Sequence, residues 1–151
     1  MISRRRLLGQ SGVAALALAL PLSARADVSA VYAQDGLALG GVDPVAYFTH
    51  GGPVPGDRAI ELMWRGTMWR FISAAHRDRF EMDPVGHAPC YGCYCAYGMA
   101  QGRLLASDPA AFALHQGLLY VFSEPAAREM WLSDIAANLA SADRHWPELT
   151  G

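Results

Sequence analysis

The run Ile60-Glu61-Leu62-Met63-Trp64-Arg65-Gly66-Thr67-Met68-Trp69-Arg70-Phe71-Ile72 sets two short apolar and aromatic segments on either side of Arg65-Gly66-Thr67. Segments of this kind around a glycine turn predict a β-hairpin over 60–72. A second pair, Ala111-Phe112-Ala113-Leu114 and Leu118-Leu119-Tyr120-Val121-Phe122, flanks His115-Gln116-Gly117 and predicts a second hairpin. Helix signals follow each one. Ser73 is placed to cap a helix over 74–82, where Ala75, Arg79 and Met82 and the pair His76 and Phe80 fall at helical spacing before Asp83-Pro84 stops it. Ser123 is placed to cap a long helix opening at Glu124-Pro125, with Met130, Ile135, Leu139 and Ala142 on its apolar face, that ends near Trp146-Pro147. Ahead of both hairpins, Asp43-Pro44 reads as the start of a short helix that Gly51 and Gly52 close. The expected class is therefore α+β: a small single domain with two β-hairpins and packed helices. No internal repeat is visible along the chain.

The N-terminus reads as an address. Ser3-Arg4-Arg5-Arg6-Leu7-Leu8 precedes an apolar stretch from Val13 to Leu22 and then Ala24-Arg25-Ala26, a small-x-small cleavage site. The paired arginines, the glycines at 9 and 12, and Arg25 near the cut favour the twin-arginine route to the periplasm. The apolar run is shorter than the roughly 20 residues of a spanning helix, so no stable membrane span is expected once the signal is cleaved. The expected division is a signal peptide over 1–26, a lead-in over 27–40 and one domain over 41–151. Residues 27–151 carry 8 basic residues against 14 acidic ones, a formal charge of −6 that argues against a nucleic-acid partner. The chain contains no lysine, which excludes Schiff-base chemistry and a phosphate-loop lysine.

All three cysteines lie in His87-Ala88-Pro89-Cys90-Tyr91-Gly92-Cys93-Tyr94-Cys95. Cys90 and Cys93 have the two-residue spacing that lets a turn direct both sulfurs at one ion, and Cys95 lies on the same face as Cys93 if the chain is extended there. With His87, or His76 from the preceding helix, they make a four-coordinate set suited to zinc, while the sulfurs alone suit Cu(I). The competing reading starts from compartment: an exported Cys-x-x-Cys commonly closes, here as a Cys90–Cys93 disulfide that leaves Cys95 a buried small hydrophobe. A c-type haem is excluded because Tyr94, not histidine, follows Cys93. His50, beside Gly51 and Gly52, reads as a loop residue, and Asp43 as a helix cap.

Several stretches together resemble the YHS-domain family, in particular its exported stand-alone members. They are Gly41-Val42-Asp43-Pro44-Val45-Ala46-Tyr47-Phe48, Trp64 through Ser73, Arg77-Asp78-Arg79-Phe80 with Asp83-Pro84, and Tyr91-Gly92 through Cys95-Ala96-Tyr97-Gly98. The resemblance implies a small treble-clef-like core and, in metal-associated branches found beside copper-transporting ATPases, cysteines after the Asp-Pro-Val element and in the hairpin-to-helix segment. Those places here hold Ala46, Ile72 and His76. Cys95 matches the cysteine of the stand-alone branch, whereas Cys90 and Cys93 are additions. Taken together, the sequence leads us to expect an exported, non-catalytic protein that binds copper or zinc for homeostasis or delivery, through Cys90, Cys93 and Cys95 with His87 and His76. The alternative is a structural or interaction module of the envelope, with the Cys90–Cys93 disulfide and another envelope protein as partner.

Overall fold

The computed structural model describes residues 29–151. The signal predicted over 1–26 lies outside the described residues, and so does the start of the lead-in. From Ala33 the lead-in is strand-forming: β1 (Ala33–Gln34) and β2 (Leu37–Ala38) pair antiparallel about Asp35-Gly36, and β2 runs parallel to β4, with Leu37 opposite Met68. The helix α1 (Ala46–Thr49) leads to the first long hairpin, β3 (Asp57–Trp64) and β4 (Thr67–Phe71), giving a four-stranded sheet in the order β1-β2-β4-β3. Next come α2 (Ala74–Met82), α3 (Pro84–His87) and α4 (Ala96–Ala100). The second hairpin, β5 (Asp108–His115) with β6 (Leu118–Phe122), forms its own two-stranded sheet ahead of α5 (Pro125–Ser133) and α6 (Ile135–Thr150). The α+β class with two hairpins and packed helices is thus observed. No helix among the described residues is long and apolar enough to cross a membrane.

Both hairpins close through two residues of positive φ, Arg65 and Gly66 at 49° and 73° and Gln116 and Gly117 at 49° and 75°. That is the turn whose twist matches the strands it joins. Ser73 caps α2 as expected, its Oγ accepting from the His76 N–H at 3.1 Å. The C-terminal helix differs from expectation. It breaks at Asp134, which takes φ −154° and ψ 75° and accepts from the Ala137 N–H at 3.2 Å, so a side chain that competes with the backbone starts a new helix in mid-run. Ser123 does not cap α5; Glu124 holds the N-cap position with no side-chain bond. Met130 is 51 % exposed, and the face that α5 buries runs instead through Ala127 and Trp131.

The element order repeats, which corrects the reading that no repeat exists. A strand of 8 residues, a two-residue turn, a strand of 5, a helix of 9 and an aspartate that caps the next helix occur twice, at a constant offset of 51. Asp57 corresponds to Asp108, Phe71 to Phe122 and Asp83 to Asp134. Each first strand carries a bulge after its aspartate, whose carboxylate accepts from the amide two residues on, Ala59 or Ala110. Ahead of each unit the chain passes through three consecutive residues of positive φ, Leu39-Gly40-Gly41 and Tyr91-Gly92-Cys93, and then a short helix.

Two apolar clusters form the core. One gathers Trp69, Phe71 and Phe80 with Tyr47, Leu119 and Val121; the other gathers Trp131, Phe122, Met99 and Ala142. Phe80 and Trp131, equivalent across the repeat, are both fully buried, each amid aromatic partners with ring centres 4.9–6.4 Å away.

Candidate functional site

Asp43 is fully buried, and its carboxylate is where three elements meet. Oδ1 accepts from the Val45 N–H at 2.8 Å and the Ala46 N–H at 3.3 Å, which fixes the entry to α1. Oδ2 accepts from the Ile72 N–H, just past β4, at 2.8 Å, and bonds His76 Nδ1 of α2 at 2.7 Å. A buried carboxylate survives when its lone pairs are filled in this way. The N-cap position of α1 falls on Val45, not on Asp43 as read from sequence; Asp43 instead braces the turn before the helix through the Val45 and Ala46 amides.

Because a carboxylate only accepts, His76 Nδ1 carries the proton and Nε2 keeps its lone pair when the ring is neutral. The His76 side chain is 13 % exposed and directs Nε2 toward Thr49 Oγ1, 3.4 Å away. Thr49 Oγ1 is also 2.8 Å from His50 Nδ1 and 3.2 Å from the Val45 carbonyl. The carbonyl can only accept, so satisfying both contacts sends the threonine proton to Val45 and makes His50 Nδ1 the second donor. His76 Nε2 and His50 Nδ1 thus both face the Thr49 hydroxyl, and the two ring centres stand 5.7 Å apart. The carboxylate behind His76 fixes the orientation and tautomer of the ring.

The cysteine loop is arranged differently. Tyr91, Gly92 and Cys93 have φ of 58°, 57° and 66°, a left-handed turn that sends Cys93 into a different apolar cluster from Cys90 and Cys95. Cys93 is fully buried in the first core cluster, Cys95 is fully buried in the second, and partly buried Cys90 packs against the second beside a surface cleft. Cys95 caps α4, its sulfur accepting from the Gly98 N–H at 3.3 Å and donating to Ser123 Oγ at 3.6 Å. Burial pushes the thiols of Cys90 and Cys93 up, favouring the protonated form that does not bind metal. All three are free cysteines, so the alternative Cys90–Cys93 bridge is not formed. His87 ends α3 with Nδ1 on the Asp83 carbonyl at 2.7 Å and its ring against Phe48. The five ligands expected for one ion, Cys90, Cys93, Cys95, His87 and His76, are therefore not brought together. Among the described residues no three His, Cys, Asp or Glu side chains are grouped so as to hold a metal ion.

The three places where the resemblance implies cysteines converge all the same. Ala46 and Ile72 give their amides to Asp43, and His76 gives its ring. Of the three, only His76 offers a ligand atom. His50, read from sequence as loop, is the neighbour that a single chain could not reveal, because the contact depends on α1 lying across the start of α2. No family model, curated protein or solved structure matches this chain.

Proposed function

We propose that this is an exported, YHS-like metal-binding protein that takes up copper or zinc through His76 and His50 and passes it on, rather than a catalyst. The observation that carries this reading is His76, held in one tautomer by the buried Asp43 carboxylate, with the His50 ring 5.7 Å away across the Thr49 hydroxyl. Imidazole suits both copper and zinc. Two ligands at the surface leave positions for water or for a ligand from a partner, which favours exchange over permanent storage. The twin-arginine signal and the resemblance carried by Gly41–Phe48 and Trp64–Ser73 support the same reading, because the implied metal positions 46, 72 and 76 all touch Asp43.

The test is competition of Cu(II) and Zn(II) against a chromophoric chelator. His76→Ala and His50→Ala are each expected to lower affinity by at least tenfold, with Cys90→Ser unchanged. Equal affinity in both histidine variants and the parent protein would end the proposal. A second reading, a structural or interaction module, draws on the burial of Cys93 and Cys95 as core filler in separate clusters. It gains if the parent protein binds neither ion at micromolar concentration.

A further inference from the structure

A cleft of about 230 Å³ opens between the first hairpin and the cysteine turn, with neither Asp43 nor the two histidines in its lining. Its walls carry four aromatic side chains, Trp64, Trp69, Tyr91 and Trp146, and Cys90 also lines it. Val85 and Leu118, at 64 % and 36 % exposed, also line it and leave apolar surface open to solvent. The one cation of the lining is Arg65. Its backbone sits at the first turn position of the hairpin with φ 49°, and its guanidinium carbon lies 4.5 Å from the centre of the Trp64 ring. Among the described residues Arg70, Arg77 and Arg128 have a carboxylate partner, whereas Arg65, like Arg58, Arg79, Arg103 and Arg144, has none. At the rim the Arg65 guanidinium is held against the Trp64 face. None of the described acidic residues lines the cleft, and the hydroxyl of its Tyr91 donates to Asp143 at 2.8 Å.

We propose that this cleft binds a small planar aromatic anion, one or two fused rings stacked among Trp64, Tyr91 and Trp146 with a carboxylate or sulfonate on Arg65. The site is separate from the histidine pair and does not rest on the metal reading. Three features fix the ligand class. The volume lies below the roughly 300–1,000 Å³ of drug-sized pockets, which limits the ring system. Aromatic walls favour a flat apolar body, since ring pairs gain from offset and edge contacts at 4.5–7 Å. The planar guanidinium fork matches a carboxylate in two parallel bonds.

The test uses the full chain and two probes of one shape, indole-3-acetate and its neutral amide, followed by calorimetry and by the indole N–H signals of the tryptophans. The acid is expected to bind saturably and at least fivefold more tightly than the amide, with Trp64 and Trp146 signals shifting. Arg65→Gln is expected to weaken the acid by about tenfold and the amide by less than twofold. Val85→Glu, an exposed change that places a like charge on the wall, is expected to weaken the acid again. The proposal is overturned if the acid shows no saturable binding below 10 mM, if acid and amide bind alike, if Arg65→Gln leaves the acid's affinity intact, or if the shifts map elsewhere.

Discussion

Asp43→Asn isolates what the buried carboxylate contributes, because it keeps the shape and removes one acceptor. In the native protein two oxygens serve three amides and one ring nitrogen, at 2.7–3.3 Å. An asparagine has a single oxygen. If that oxygen faces Val45 and Ala46, its amide group meets the Ile72 N–H, donor against donor; if it is flipped, the same conflict falls on Val45 and Ala46. Either orientation leaves at least one buried N–H without a partner, at about 1–3 kcal/mol, and removes charge-assisted bonds besides. The expected loss is about 2–4 kcal/mol, a fall in Tm on the order of 10 °C for a domain of this size. In the first orientation the amide group also donates to His76 Nδ1, which moves the ring proton to Nε2 and blocks the nitrogen that faces Thr49 Oγ1. Metal affinity should then fall by roughly 10–100-fold in the fraction that remains folded. Urea unfolding followed by tryptophan fluorescence gives the first number, and chelator competition at low temperature gives the second. A stability loss under 1 kcal/mol would refute the view of Asp43 as the junction of α1, β4 and α2, whatever the metal data show.

Other outcomes follow from the same structure. Gly92→Ala should destabilise the fold by more than about 2 kcal/mol, measured by urea unfolding: the residue has φ 57°, and a Cβ there would meet the Ala30 carbonyl and the Trp146 ring. Iodoacetamide should label Cys90 alone in the native protein, with Cys93 and Cys95 reacting only in denaturant; mass spectra showing two or three adducts on folded protein would contradict the observed burial. Stability should decline in alkali. Burial pushes up the ionisations of Cys93 and Tyr47, whose ordinary values are 9.0 and 10.0, so above about pH 9 the unfolded chain releases protons that the folded one retains. The contribution is complete below pH 9 and is lost as pH rises beyond it; a urea midpoint that stays flat from pH 8 to 11 would count against this.

The sequence made the hairpins and α2 legible because the signals there are local. Gly66 and Gly117 must take positive φ, and Ser73 caps the helix that follows it. The break at Asp134 escaped because an apolar face continues on both sides of it, and a capping aspartate inside such a run resembles an exposed helix residue. The repeat had a sequence signal in Asp57-x-Ala59 and Arg77-Asp78-x-Phe80 against Asp108-x-Ala110 and Arg128-Glu129-x-Trp131, all at one spacing. It was hidden because the intervening core positions exchange freely among apolar types. The candidate site was legible only in part. His76 stood out, whereas Asp43 and His50 depend on contacts across 33 positions and between α1 and α2. The cysteine spacing misled for a backbone reason: three left-handed residues in succession turn neighbouring side chains apart, and only Gly92 among them announces such a conformation.

That turn also sets how the molecule can come apart. Cys93 is anchored in one apolar cluster and Cys95, two residues on, in the other, while Leu119 and Val121 of the second hairpin reach back into the first. The repeated units therefore share a seam and cannot behave as beads on a string. Loosening either half pulls a plug from its neighbour, so amide protons in β4 and β6 should exchange with solvent at one common free energy, as a single foldon built from two copies.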